Sequence, residues 1–214
     1  MVFRRIGKAL RDETAEKICR GLCAIGVPAT LAEGAPLEEK LESGHPSLRQ
    51  FRPHRESLGL IDTAEWPIRW VNIVGISGTI GLSDQTPYGY YVIEYGAPDS
   101  RDMPEVSLSP VFARRFPAIG RVTGVTWHGK DSGLGIIDRL NGDDSTKGAL
   151  RTSKGIRGGL SIRALPEHRC WVIAETWGES LGLGLSPPAP SAELWSCYQA
   201  IARHLLAEWK GHEA

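Results

Sequence analysis

The sequence predicts an α+β protein with an antiparallel or mixed sheet of about five to seven strands. Two observations support this prediction. Strand-like segments follow one another through the middle of the 214-residue chain instead of alternating with long helices, and the longest helical periodicities lie near the two termini. We expect the N- and C-terminal helices to pack on one face of the sheet. Residues 1–214 should form a single domain, with an irregular connection at about 33–57 and a Gly/Pro-rich loop at 181–190.

The first helix is predicted at residues 8–25, where apolar side chains recur at helical spacing. Gly26 and Pro28 end this pattern, and a short strand can follow at 27–31. From residue 33 onward the periodicity is lost among glycines and prolines, which favours an exposed connection.

The central segments are rich in β-branched and aromatic residues, which is typical of strands. The two densest, Ile68–Val74 and Tyr88–Tyr95, are separated by glycines that favour a hairpin or a longer loop. The sequence predicts four further strands: Val106–Val111, Arg121–His128, Leu160–Leu165 and Arg169–Glu175.

Three helices are predicted in the second half of the chain. A helix at Ser132–Leu140 ends at Asn141-Gly142, and Asp143 or Asp144 can cap another that runs to about Leu150. Ser191 is the expected cap of the clearest helix, Ala192–Lys210, which carries a continuous apolar stripe.

Composition and charge exclude several classes of protein. The 25 basic residues balance 25 acidic ones, so no net field attracts nucleic acid or membranes to the chain as a whole. The N-terminal segment lacks the apolar run of a secretory signal, and no window has the apolar length of a membrane span. Four cysteines are too few for a disulfide framework of this size. We therefore expect a cytoplasmic protein and predict no cofactor.

Residues 121–144 concentrate reactive side chains more than any other segment. Carboxylates and an imidazole of this kind could hold Mg²⁺ or Mn²⁺ for a metal-assisted hydrolase. The residues of this group are His128, Asp131, Asp138, Asp143 and Asp144. The simpler interpretation, which we prefer, is that Asp131 and Asp143 cap helices while Asp138 pairs with Arg139 or faces solvent.

A local excess of positive charge lies between Lys147 and Arg169. Lys154 and Arg157 stand in a glycine-containing loop, and Arg163 follows in the next strand, so the three could contact an anionic ligand or an acidic protein surface. Nucleic acid is disfavoured, because no aromatic residues interleave the loop. The alternative is that these side chains are simply solvated.

Thiols and indoles supply the remaining candidates. Cys19 and Cys23, with His168 and Cys170, could bind zinc, but their spacing is not a standard zinc pattern and free cysteines are commonly buried.

The seven tryptophans exceed the obvious need of one core, so some could line a ligand site or a homodimer contact. Trp195 and Trp209 on the last helix are the first of these to consider. The alternative is that the tryptophans form part of the core, with their N–H groups satisfied.

These patterns lead to two hypotheses of different classes. The first is a non-catalytic binding protein, with an unknown protein or an anionic small molecule as its partner. Its contact surface would include Lys154, Arg157, Arg163 and Trp195, and the protein could act as a homodimer. The alternative is the metal-assisted hydrolase.

Overall fold

The computed structural model describes residues 14–32, 54–80, 86–115, 122–152, 159–177 and 187–207. They form one antiparallel sheet of eight strands with four helices. The strands are β1 Thr30–Leu31, β2 His54–Asp62, β3 Trp70–Ile80, β4 Thr86–Pro98, β5 Ser107–Arg114, β6 Val122–Lys130, β7 Leu160–Leu165 and β8 Cys170–Trp177. The helices are α1 at 14–24, α2 Ile136–Gly142, α3 Asp144–Thr152 and α4 Ala192–Leu206.

The strands are arranged in the order β1-β2-β3-β4-β8-β7-β5-β6, and every neighbouring pair is antiparallel. The α+β class is therefore confirmed. The predicted strand number was too low, because β2 begins at His54, inside the stretch predicted as an irregular connection. This strand alternates poorly, with charged residues and Gly59 in its sequence, and long-range pairing with β1 and β3 on its two sides stabilises it.

Alternate side chains of the central strands enter two separate apolar clusters, as the two-residue period of a strand requires. The larger cluster includes Ile73 and Ile173 from the sheet and apolar side chains from all four helices. The smaller cluster, on the opposite face, includes Val74 and Val172. The helices thus take part in one shared core.

Helix α4 is anchored at both ends. The side chain of Ser191 accepts a hydrogen bond from Leu194 N at 3.3 Å, the capping interaction expected from the sequence. At the other end, Arg101 donates to the carbonyl of Ala207 at 3.1 Å, and Arg139 donates to that of His204 at 3.1 Å. Two guanidinium groups therefore lie at the negative end of the helix dipole, where positive charge is stabilising.

Strand β6 forms one edge of the sheet, and a side chain covers part of its outer hydrogen-bonding groups. Trp127 N donates to Asn141 Oδ1 at 2.7 Å, and Asn141 Nδ2 donates to Trp127 O at 3.1 Å. The amide thus takes the place of a neighbouring strand at this residue and ties α2 to the edge. None of the helices within the described ranges combines the length and apolar character needed to cross a membrane.

Candidate functional site

The carboxylates of residues 131–144 are engaged in local hydrogen bonds. Asp131 accepts from Gly133 N at 3.1 Å and from Ile137 N, in the first turn of α2, at 3.4 Å. Asp143 precedes α3 and accepts from Thr146 N at 3.0 Å and from Thr146 Oγ1 at 2.5 Å. Both side chains therefore satisfy backbone N–H groups that the following helix leaves without intrahelical partners.

The remaining members of this group are not brought together. Asp138 and His128 are exposed on α2 and β6, while Asp144 pairs with Lys147 at 2.8 Å. Across the described ranges, no three His, Cys, Asp or Glu side chains are arranged to hold a metal ion.

Asp143 also connects α3 to α4, because its Oδ2 lies 2.9 Å from His204 Nε2. Burial by itself would raise the pKa of Asp143, but the hydrogen bonds from Thr146 and the contact with His204 outweigh it and lower the pKa to about 2. The carboxylate is therefore ionised near neutral pH, and its contact with His204 links α3 to α4.

Arg163, predicted as a ligand contact, is held within the sheet. Its Nη2 donates to Glu94 Oε1 at 2.5 Å, and its side chain is only 18% exposed, whereas that of Glu94 is fully buried. Asn72 donates to the other carboxylate oxygen at 3.1 Å and accepts from Ser57 Oγ at 2.7 Å. Arg163 is thus part of a polar network that crosses β2, β3, β4 and β7.

The other predicted ligand contacts are either buried or lie outside the described residues. Trp195 is buried, and its Nε1 donates to Glu65 Oε2 at 3.3 Å. Its ring also makes an edge contact with Tyr95 at a centroid distance of 6.2 Å. Lys154, Arg157 and Trp209 lie outside the described residues.

A groove of about 680 Å³ lies where α3 faces the ends of β5 and β6. Four of the six α3 residues in its lining are small: Ser145, Gly148, Ala149 and Thr152. Arg151 on α3 and Arg115, which follows β5, also line the groove. Asp144 also lines the groove, but Lys147 and, more weakly, Arg151 balance its charge and lower its pKa.

A buried carboxylate cluster joins the sheet to α4. Tyr198 donates to Glu175 Oε2 at 2.7 Å, and Tyr95 donates to the same oxygen at 3.4 Å. The other oxygen, Oε1, and the nearby Trp177 Nε1 are buried without a hydrogen-bond partner among the residues that the structure describes. Burial raises the pKa of Glu175 to about 7, although the hydrogen bonds from the two tyrosines and the nearby Trp177 N–H act in the opposite direction.

The sequence contains a signal for both buried carboxylates, Glu175 and Glu94. Glu175 has the same strand parity as the apolar Trp171 and Ile173, and Glu94 lies between the apolar Ile93 and Tyr95. A carboxylate in a continuous apolar strand has to be buried and to find partners. Arg115 and Arg151 gave no such signal, since their approach depends on how α3 meets the sheet.

Comparisons of the chain with protein-family models, with curated proteins and with solved structures found no match. The chemistry of the protein has therefore to be inferred from its own side chains.

Proposed function

We propose that the protein binds an anionic small molecule, without catalysis, in the groove between α3 and the ends of β5 and β6. The main support is the pair of exposed arginines that line this one groove, Arg151 from α3 and Arg115 from the residue after β5. No hydrogen bond from either guanidinium to a described residue is present, so both can bind a ligand without first breaking such a contact. Guanidinium groups are suited to carboxylate and phosphate oxygens, which they can contact in a bidentate manner.

The size and lining of the groove favour a small molecule over a flat protein surface. Its volume of about 680 Å³ falls within the range of roughly 300–1,000 Å³ that small-molecule sites occupy. The small side chains of α3 leave the helix surface accessible to a ligand. Lys154 and Arg157 follow α3 in the sequence, and we expect them to add further cationic contacts.

Replacing both groove arginines, as Arg115→Gln/Arg151→Gln, should weaken anion binding at least about tenfold, because charge-assisted hydrogen bonds are lost. Isothermal titration calorimetry with pyrophosphate and with citrate would measure the change. Both substituted side chains are exposed, so the thermal unfolding curve should be almost unchanged.

Arg203→Gln, which removes an exposed arginine of α4, is the matched control and should bind like the wild type. Equal affinities of the wild type and the double variant would contradict the proposal. So would binding of a hexaglutamate peptide with no binding of either small anion, since this result would indicate an acidic protein partner.

A second proposal concerns a contact with another copy of the chain, and Trp66 supports it. This side chain is 61% exposed, although hydrogen bonds hold the loop that carries it. Thr63 Oγ1 donates to Ile68 O at 2.6 Å, and Ala64 N donates to Asp62 Oδ1 at 2.8 Å. An exposed indole on an ordered loop loses little conformational entropy on association, and tryptophan is enriched in interfaces.

Trp66→Ala is expected to convert a homodimer into a monomer, as measured by sedimentation velocity at micromolar concentration. Val111→Ala is the control, because Val111 is also exposed, at 57%, but lies on β5 near the opposite edge of the sheet. A monomeric wild type, or dissociation caused equally by both substitutions, would count against this contact.

The cytoplasmic location remains part of the proposal, and the four free cysteines of the structure are compatible with it. The hydrolase alternative draws no support from the described residues, because Asp131, Asp143 and Asp144 are already engaged in local contacts.

A further inference from the structure

Two thiol groups converge on one backbone carbonyl beside α1. The thiol of Cys19 donates to Ala29 O at 3.5 Å, and that of Cys23 donates to the same oxygen at 3.3 Å. Cys23 is exposed and Cys19 is partly exposed, so solvent can reach the pair. The thiols are on the same side of the helix, since residues four apart are neighbours on its surface.

The turn after α1 creates this arrangement. Gly26 adopts a φ of 87°, a left-handed conformation that suits glycine, and Val27 N donates to Leu22 O at 3.0 Å. The chain then returns alongside the helix and enters β1, which brings Ala29 next to the two cysteines. The carbonyl is held in place because β1 pairs with β2.

The groups around Cys19 shift its pKa in opposite directions. Burial and the adjacent Cys23 thiol raise its pKa, whereas a hydrogen bond involving the backbone of Leu31 lowers it. When either sulfur binds a metal it loses its proton and with it the hydrogen bond to Ala29 O, while the interaction with the backbone of Leu31 favours the charged form of Cys19. Hydrogen-bond donors to coordinating sulfur atoms are a common second layer around metal–thiolate sites.

We propose that Cys19 and Cys23 form a two-thiolate site for a soft monovalent cation of the Cu⁺ type. Soft thiolates select Cu⁺, and two sulfur ligands complete its linear coordination. A structural zinc site would need about four ligands, and no third His, Cys, Asp or Glu joins the pair among the described residues. On binding, two S–H bonds break, two S–Cu bonds form and two protons pass to solvent, with no change of oxidation state.

Competing roles for the pair fit the geometry less well. A disulfide would require the two Cβ atoms to approach within about 4.5 Å, whereas helical residues four apart hold them roughly 5–6 Å apart. The other two cysteines are not equivalent candidates. Cys170 and Cys197 are buried, and burial raises the pKa of each thiol to about 12.

Anaerobic titration of the full chain with Cu⁺, in competition with a chromophoric Cu⁺ chelator, tests this site. We expect one ion per chain and a thiolate-to-copper absorption band in the ultraviolet. Cys23→Ser should reduce the apparent affinity at least about 100-fold, because a two-coordinate site loses half of its ligands. Cys23 is exposed, so this variant keeps the packing of α1 intact, and Cys19→Ser should give the same loss.

Cys197→Ser, which replaces a buried thiol of α4, is the matched control and should bind Cu⁺ like the wild type. The release of two protons predicts that the apparent affinity rises by up to roughly 100-fold per pH unit below the thiol pKa values. Wild-type affinity in a folded Cys23→Ser variant, or equal losses in Cys23→Ser and Cys197→Ser, would overturn the proposal. An absence of Cu⁺ binding by the wild type would overturn it as well.

Discussion

Replacing Glu175 by glutamine is expected to make the protein more stable above pH 7, by on the order of 3 kcal/mol at most. The side chain of Glu175 is 1% exposed, and burial raises its pKa from 4.5 to about 7. The neutral form is thus favoured in the folded state. Glutamine reproduces this neutral form while its oxygen can still accept hydrogen bonds from Tyr198 and Tyr95.

The direction of the pH dependence follows from the raised pKa. The stabilising contribution of neutral Glu175 is fully present below about pH 4.5, where the unfolded chain is also protonated. It decreases as the pH rises from 4.5 and is lost once the pH passes through about 7. The glutamine variant lacks this titration, so the difference from the wild type should appear within that interval.

Urea denaturation between pH 4 and pH 9 would measure the free energies of unfolding. Glu167→Gln is the control, since its side chain is 52% exposed, and it should follow the wild-type curve. Parallel curves for the wild type and Glu175→Gln would show that the carboxylate is not buried as described. The gain in the free energy of unfolding should stay somewhat below about 3 kcal/mol. The reason is that an amide nitrogen replaces Oε1, which has no described hydrogen-bond partner.

Replacing Arg163 by methionine is expected to reduce the free energy of unfolding by up to about 3–5 kcal/mol. The substitution removes a 2.5 Å partner that offsets the charge of Glu94, whose side chain is fully buried. Burial of a carboxylate whose charge is less compensated is costly, whereas the intact ion pair need not contribute much net stability. The cost should therefore come mainly from Glu94.

The double variant Glu94→Gln/Arg163→Met separates these contributions. Because it removes both charges together, it should recover much of the stability lost in Arg163→Met. Arg203→Gln, at an exposed position of α4, should have little effect on chemical denaturation. If Arg163→Met were as stable as the wild type, the buried network would not be important for the fold.

The same variant tests the role of Arg163 in binding. The sequence-based prediction treats Arg163 as a ligand contact together with Lys154 and Arg157. The structure shows it bonded to Glu94 on β4, so under the groove proposal the folded fraction of Arg163→Met should retain its affinity for pyrophosphate. A selective loss of affinity with unchanged stability would instead support the sequence-based assignment.

Local patterns predicted several elements because the physical causes are local. Ser191 and the apolar stripe after it predicted the start of α4, and the β-branched residues of β3 and β4 predicted strands without reference to the rest of the chain. Asp143 or Asp144 was likewise predicted to cap α3, and Asp143 does so, since a capping side chain acts on the backbone only three residues away.

By itself the sequence therefore determined the α+β class, most of the strands and the helix starts after Asp143 and Ser191. The tertiary structure decided the position of β2, the burial of Trp195 and the partners of Arg163. It also brought Tyr95 to Glu175 across 80 residues, and Arg115 to the same groove as Arg151. Helix caps and periodicities depend on neighbours within a few residues. Ion pairs, buried carboxylates and grooves depend on segments that approach each other only when the sheet and helices have packed.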